Sequence, residues 1–191
     1  MAEHNADFLD DHDPDLNFIN DDACNYTDLI NPTCHANASL SFLHANIRSS
    51  QKNQDELENQ LFLASHNFSI IALTETWLHM DNVHLYNIQH YKHVHRTRDT
   101  RTGGGVSLHI HDSFKYIERV DLVHSSHNTI FESAFIELAH PTLGQVIIGV
   151  VYRPPATCIL TFLEQFGLLI SRILVSLEKK KCYAMGDFNL D

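Results

Sequence analysis

Four short apolar runs, each leading to a polar residue, constrain this chain more than any other feature. They are Leu40 to Ile47, Ile70 to Leu73, Val146 to Val151 and Cys182 to Met185. Apolar runs of about four to eight residues bounded by turn residues read as strands buried on both faces. The first carries Asn46 near its end, and the second passes through Thr74 to Glu75. The third ends on Tyr152-Arg153-Pro154-Pro155 and the fourth on Gly186-Asp187-Phe188-Asn189.

Helical patterns separate these runs. Leu57, Leu61 and Ala64 recur at helical spacing over roughly 53–65, and Asp55 and Glu56 favour the N-terminal end of that helix. Thr161-Phe162-Leu163-Glu164 is a capping box, so a second helix is predicted to start there. Its apolar stripe is Phe162, Phe166, Leu169, Ile173 and Leu177. The lysines 179–181 that follow read first as a solvated C-terminus and second as a nucleic-acid contact. Between the helices, strands are predicted over Tyr91 to Thr97, Val106 to Ile110, Phe114 to Val120, Thr129 to Leu138 and Gln145 to Tyr152. The last three are tightly connected, so they should pair antiparallel. The expected class is α/β (α+β), with polar residues gathered beyond strand ends.

Charge decides little about partners. The net charge is -11, but nine acids and no lysine or arginine lie in residues 1–38, leaving the remainder at about -2. That leader lacks apolar periodicity and is expected to be disordered, with the folded domain spanning 39–191. Cys24, Cys34, Cys158 and Cys182 form no Cys-x-x-Cys pair and read as free thiols in a reducing compartment. No apolar run reaches transmembrane length, and the acidic N-terminus has the wrong sign for a secretory or mitochondrial signal. The expectation is an intracellular protein, nuclear or cytoplasmic, not secreted and with no membrane partner.

The strand ends carry the chemistry. A carboxylate can hold a hard cation or accept a proton, and an amide can orient water or a phosphate oxygen. Asp187 and Asn189, at spacing two, share a face if the strand continues past Gly186, where glycine lets the chain turn. The plain alternative is a strand followed by an Asx turn. For Asn46, Glu75 and Tyr152 the plain readings are a turn residue, a solvated acid and a sheet-edge cap. Arg96, Arg98 and Arg101 sit beside Gly103-Gly104-Gly105, which either closes a hairpin or cradles phosphate; no P-loop Gly-Lys-Ser or Gly-Lys-Thr follows. His93 with His95, and His109 with His111, each share a strand face, which leaves a zinc site open.

Taken in order, six stretches resemble the endonuclease/exonuclease/phosphatase superfamily. They are similar above all to the apurinic-endonuclease-like domain of non-LTR (LINE-type) retrotransposon polyproteins. The stretches are His44-Ala45-Asn46-Ile47-Arg48-Ser49, Leu73-Thr74-Glu75-Thr76-Trp77-Leu78 and Gly103-Gly104-Gly105-Val106. They continue with Glu132-Ser133-Ala134-Phe135-Ile136-Glu137-Leu138, Val150-Val151-Tyr152-Arg153-Pro154-Pro155 and Gly186-Asp187-Phe188-Asn189.

The resemblance implies a four-layered α/β/β/α sandwich, incomplete at its C-terminus, and Mg²⁺-dependent hydrolysis of DNA phosphodiesters, with Mn²⁺ as a substitute. It gives Glu75 and Asn46 to the metal, Tyr152 to the scissile phosphate, Asp187 to the attacking water and Asn189 to the phosphate. Arg48, Arg96, Arg98, Arg101 and Arg153 are candidate nucleic-acid contacts. The partners implied are DNA and a reverse transcriptase domain in a longer polyprotein.

The family's catalytic set closes on a downstream Ser-Asp-His strand end, and this chain stops at Asp191 before it. The expectation is therefore the N-terminal part of a target-site nicking endonuclease, without detectable nicking as it stands. The competing reading is a catalytically dead remnant, at most a weak nucleic-acid binder or a host-recruited interaction module. A superfamily phosphatase acting on lipid or inositol phosphates is a third.

Overall fold

The computed structural model describes residues 39–98, 103–123, 130–177 and 180–190. The acidic leader, Arg101, the Leu177 side chain, Lys179 and Asp191 lie outside the described residues.

Two four-stranded sheets follow one another along the chain. Sheet A contains β1 (Phe42–Asn46), β2 (Ile70–Thr74), β3 (Tyr91–Arg96) and β4 (Val106–His111), in the order β1-β2-β4-β3. Sheet B contains β5 (Tyr116–Glu118), β6 (Glu132–His140), β7 (Gly144–Tyr152) and β8 (Lys181–Asp187), in that order. β1 and β2 are parallel, joined by α1 (Ser50–Ala64). β7 and β8 are parallel, joined by α2 (Ile159–Leu177). A parallel pair needs such a crossover, whereas the remaining pairs are antiparallel, three of them between strands consecutive in the chain and β2–β4 across the intervening β3.

Side-chain alternation then builds the layers. Ile70, Ala72, Leu108 and Ile110 of sheet A meet Ala134, Ile136, Leu138, Ile148 and Val150 of sheet B in a core between the sheets. The opposite face of sheet A, with Leu43, Ile71 and Leu73, takes Leu57 of α1. The opposite face of sheet B, with Phe135, Ile147 and Val151, takes Phe162, Leu169 and Ile173 of α2. The result is an α/β/β/α sandwich. Each such aliphatic or aromatic side chain contributes roughly 1.5–3 kcal/mol through burial.

Several sequence expectations are corrected. Leu40 to Ile47 and Cys182 to Met185 read as strands buried on both faces. Yet among the described residues β1 pairs only with β2, and β8 only with β7. Both are edge strands, and Tyr183 and Ala184 are exposed. The two edges open on the same flank, where the Phe42 and Tyr183 rings lie 5.2 Å apart. The predicted strand Phe114 to Val120 shrinks to β5, followed by a 3-10 turn at Val120–Leu122. Helix α2 begins at Ile159, before the capping box. Phe162 N–H bonds the Cys158 carbonyl at 3.0 Å, so Cys158 occupies the cap.

Over Ile159–Ser176, α2 is also long and apolar enough to cross a membrane by length and composition, contrary to the sequence reading. Such a helix is weak evidence of a span, and here Phe162, Leu169 and Ile173 bind it to sheet B.

On the outer face of sheet A the histidines do gather. The His93 and His109 rings stack at 4.3 Å, and His93 and His95 lie 5.0 Å apart. Lone pairs lie in the ring plane, so nearly parallel stacked rings do not aim at one ion. Among the described residues no group of three His, Cys, Asp or Glu side chains could hold a metal. His111 is turned away to Ser113, whose hydroxyl lies 2.8 Å from its Nδ1.

Candidate active site

The ends of β1, β2, β7 and β8 converge. In sheet B, Tyr152 and Asp187 are register partners on adjacent parallel strands. In sheet A, Asn46 is the register partner of Thr74, one residue before Glu75. Two hydrogen bonds then join the sheets. Asn46 Nδ2 donates to Asp187 Oδ2 at 2.9 Å, and the Tyr152 hydroxyl donates to Glu75 Oε1 at 2.8 Å. Trp77 Nε1 donates to the other Glu75 oxygen at 3.1 Å. Five residues assigned to a site from sequence, Asn46, Glu75, Tyr152, Asp187 and Asn189, thus form one connected cluster.

Backbone conformation marks the same place. Among the described residues seven non-glycine positions have positive φ. Five of them, Arg48, Ser49, Glu75, Trp77 and Asn189, lie in the loops around this cluster. Such conformations cost about 1–3 kcal/mol each and persist only where the surroundings enforce them. The enforcement is visible. Ser49 N–H bonds the Glu75 carbonyl at 2.8 Å, and Trp77 N–H bonds the Gly104 carbonyl at 2.8 Å. The glycine hairpin is therefore a buttress for the Glu75 turn. A Cβ on Gly105, at φ +88°, would sit 2.4 Å from Thr76 Oγ1.

Gly186 has a different role from the one expected. It lies within β8, not at a turn, and a Cβ there would sit 1.8 Å from the Val151 carbonyl oxygen. Glycine is required for the close approach of β8 to β7. The strand ends at Asp187, and Asn189 does not continue it. Asn189 N–H bonds Asp187 Oδ1 at 3.2 Å, an Asx turn, while its Nδ2 donates to the Arg153 carbonyl at 2.6 Å. The plain reading of this motif, a strand followed by an Asx turn, is the one the structure shows, and the shared strand face expected for Asp187 and Asn189 is not formed.

Three of the candidate arginines, Arg153, Arg98 and Arg96, are already occupied. Arg153 is buried, and its guanidinium donates to the carbonyls of Phe188, Asn189 and Thr157. It holds the loop carrying Asn189 instead of facing outward. Arg98 pairs with buried Glu132, which also accepts from Gly105 N–H. Arg96 pairs with Glu118. Arg48 is exposed, and its N–H bonds Asn46 Oδ1 at 3.3 Å.

Electrostatics follow from these contacts. Burial, then the bond to Glu75, holds the Tyr152 phenol protonated well above its ordinary range. It is thus a hydrogen-bond donor at neutral pH. Burial pushes the Glu132 carboxyl up, while Arg98 and Gly105 pull it back. Sequence reasoning assigned no role to His44, two residues before Asn46 on the same strand. Burial lowers its imidazole, and the Asp187 carboxylate opposes that shift. The alternation Phe42, His44, Asn46 was the available signal. Trp77 and Glu132 lay inside quoted motifs, but only the folded chain shows what they hold.

The donor set suits a hard cation. Each Glu75 and Asp187 oxygen accepts one protein hydrogen bond, leaving lone pairs for a ligand. Carboxylate and amide oxygens suit hard divalent cations over soft ones.

No family model matches the sequence. A comparison with curated proteins finds no significant match. The fold, in contrast, has clear counterparts among solved structures. Zebrafish TDP2 complexed with a single-strand DNA product matches with TM-score 0.58 at 14% identity, over 80% of this chain and 61% of that one. ANGEL2, a 2′,3′-cyclic phosphatase, matches with TM-score 0.54 at 13% identity, over 78% and 52%. The Neisseria 3′ phosphatase NExo, bound to a product DNA hairpin, matches with TM-score 0.50 at 14% identity, over 79% and 58%. These are endonuclease/exonuclease/phosphatase-superfamily members, and this α+β sandwich has their fold. The chain spans about three-fifths or less of the length of these structures.

Proposed function

We propose that the strand-end cluster is the site of a metal-dependent phosphodiesterase that acts on DNA. Within that class we favour the target-site nicking endonuclease of a non-LTR retrotransposon. The observation that carries the proposal is the pair of cross-sheet hydrogen bonds, Asn46 to Asp187 and Tyr152 to Glu75. They assemble two carboxylates, an amide and a phenol, a set suited to an anionic ester. The solved structures with this fold include proteins bound to DNA products, which supports the substrate class.

A phosphodiester already carries a negative charge, and attack by water adds more at the equatorial oxygens. Glu75 and Asn46 would hold Mg²⁺, which when bound supplies the countercharge. Asp187 accepts the proton of the attacking water and fixes its line of approach. Tyr152 donates to a phosphate oxygen, since its phenol stays protonated across the neutral range. Asn189, held by Arg153, supplies a further amide. Breaking the bond between phosphorus and the 3′ oxygen leaves a 3′ hydroxyl, the primer a reverse transcriptase needs, and a 5′ phosphate. The retrotransposon assignment rests on the six sequence stretches.

Two measurements test the reading. Mg²⁺ titration followed by NMR should perturb the amides around Glu75, and Glu75→Ala should remove the perturbation. In a chimera that adds a Ser-Asp-His closing segment, supercoiled plasmid should be nicked with Mg²⁺. Glu75→Ala and Asp187→Ala should each cost about 100-fold or more, the scale for losing one positioned group. Nicking retained in both variants would show the site to be misassigned.

A further inference from the structure

The inner face of sheet B ends on a charge. Leu138, Ile136 and Ala134 of β6 pair with Val146, Ile148 and Val150 of β7, and all six lie in the core between the sheets. Glu132 and Tyr152 are the next pair in that row, at the end nearest the site, and Glu132 is only 5% exposed. Register partners in an antiparallel pair share a face, with Cβ atoms about 4.5–5.5 Å apart. A carboxylate therefore stands beside the Tyr152 phenol, where the row would otherwise take another apolar side chain.

The two oxygens of Glu132 reach across to sheet A. One accepts from Arg98 Nε and the other from Gly105 N–H, near the two ends of the segment that joins β3 to β4. The glycines leave room for this. A Cβ on Gly104, at φ +73°, would sit 2.6 Å from Arg98 Cζ and 2.7 Å from Glu132 Oε1. The same glycines hold the turn that carries Glu75. The Gly105 carbonyl accepts from Thr76 N–H at 3.3 Å and the Gly104 carbonyl from Trp77 N–H at 2.8 Å, while the Trp77 indole donates to Glu75 at 3.1 Å. Sheet B thus grips the Glu75 turn twice, directly through Tyr152 and through the glycines by Glu132.

Stability alone does not account for the second grip. Arg98 gives one N–H to Glu132 and leaves Nη2 buried with no acceptor among the described residues. Replacing a buried ion pair by apolar side chains of similar volume is commonly neutral or stabilising. Chemistry supplies a reason. The Tyr152 hydroxyl has a single hydrogen, and Glu75 holds it here. Donation to a phosphate oxygen breaks the direct grip.

We propose, resting on the phosphodiesterase reading of the site, that Glu132 is a positioning residue: anchored by Arg98, it keeps the Glu75 turn of sheet A docked on sheet B once the Tyr152 hydroxyl has left Glu75 for the substrate.

The test uses the full chain and needs no DNA. Tyr152→Phe stands in for the hydroxyl that has left Glu75. Arg98→Met is the common background, so that no variant leaves a buried guanidinium unpaired. In it, Glu132→Gln keeps an oxygen for Gly105 N–H and Glu132→Leu removes it. With Tyr152→Phe present, hydrogen exchange at the Thr76 and Trp77 amides should be about 10-fold faster or more in Glu132→Leu than in Glu132→Gln, the scale for a buried donor left without its acceptor. With Tyr152 intact the two should differ by about 2-fold or less, because the direct bond still holds the turn and the two ties are coupled. Amides of β7 and β8 should exchange alike in all four variants, which separates a loosened turn from a weakened fold. With Tyr152→Phe present, Mg²⁺ should perturb the amides around Glu75 at about 10-fold lower concentration in Glu132→Gln than in Glu132→Leu, the same free energy read as affinity. Equal exchange in Glu132→Gln and Glu132→Leu with Tyr152→Phe present, or a difference just as large with Tyr152 intact, would overturn the proposal. A wild-type chain whose Glu75 amides ignore Mg²⁺ would overturn the phosphodiesterase reading instead, while the exchange comparison still decides whether Glu132 holds the turn.

Discussion

Sheets A and B supply the same site by different means. Sheet B presents Tyr152 and Asp187 on neighbouring strands, in register, so the β7–β8 ladder itself sets their spacing. Sheet A presents Glu75 from a positive-φ turn beyond β2, pinned by a few bonds to Ser49 and the glycine hairpin. A residue on a ladder is positioned by hydrogen bonds that the whole sheet shares. One on a strained turn depends on a handful of local contacts. Damage on the sheet B side should therefore cost the fold, and damage on the sheet A side should cost mainly the site.

The largest effect is expected from Gly186→Ala. The new Cβ would sit 1.8 Å from the Val151 carbonyl, backbone that cannot move without parting β8 from β7. A loss of about 4 kcal/mol or more is expected, the scale reserved for severe steric conflict. An unchanged urea midpoint would mean that β8 does not pair as described. Arg153→Met follows, also on the sheet B side. It leaves the carbonyls of Phe188, Asn189 and Thr157 without their buried donor and should cost about 3 kcal/mol. A smaller loss than that of Gly105→Ala would reverse the comparison.

Acid probes sheet A away from the site. Burial, with the neighbouring His95, lowers the His93 imidazole to about 4; burial also lowers His95 and His109. Arg96 and Glu118 are the charged groups beside His95. A histidine whose folded pKa lies below its unfolded value binds fewer protons when folded. Stability is then full above about pH 6.5 and falls as pH drops toward 4. His93 alone should contribute on the order of 3 kcal/mol of that fall. His93→Phe should flatten the profile of urea midpoint against pH between those values.

Gly105→Ala is expected to cost about 2 kcal/mol, through its φ of +88° and the contact with Thr76. Trp77, the single tryptophan, should report it by a shifted emission. The same variant should leave the β7–β8 amides protected from hydrogen exchange, which sharpens the contrast between the sheets. Glu75→Gln should change stability least, by under about 1 kcal/mol, because the amide oxygen can still accept from Trp77 while its NH2 donates to the Tyr152 hydroxyl oxygen.

Much of this architecture was legible in the sequence, for identifiable reasons. Val146 to Val151 is apolar on both faces because β7 lies between β6 and β8 and beneath α2. The same apolar signature misled at Leu40 to Ile47. Composition reports how apolar a strand is, but pairing partners far along the chain decide whether it is an edge. The start of α2 was missed because cysteine is not among the residues recognised as caps, whereas Thr161-Phe162-Leu163-Glu164 fits the familiar pattern further in.

At the site, the polar residues were legible one strand end at a time. Their pairing was not: Asn46 and Asp187 are 141 residues apart, and no local pattern encodes that bond. Arg153 read as a phosphate donor because its position beyond a strand end is right. What sequence could not convey is that the Asx turn at Asp187 brings two carbonyls over it and the turn at Thr157 a third.

The two sheets are contiguous in sequence, 42–111 and 116–187, with only the short segment 112–115 crossing between them. Each can complete its own hydrogen-bonded ladder before meeting the other, through contacts of modest sequence separation. The inner faces gain their burial only on docking, and the Asn46–Asp187 and Glu75–Tyr152 bonds cannot form before that step. The site is thus assembled last, at the seam between two pieces that the chain makes separately. Two polypeptides divided within 112–115 should recover it by association. Refolding followed at Trp77 should then trail the formation of secondary structure by the time the sheets take to find each other.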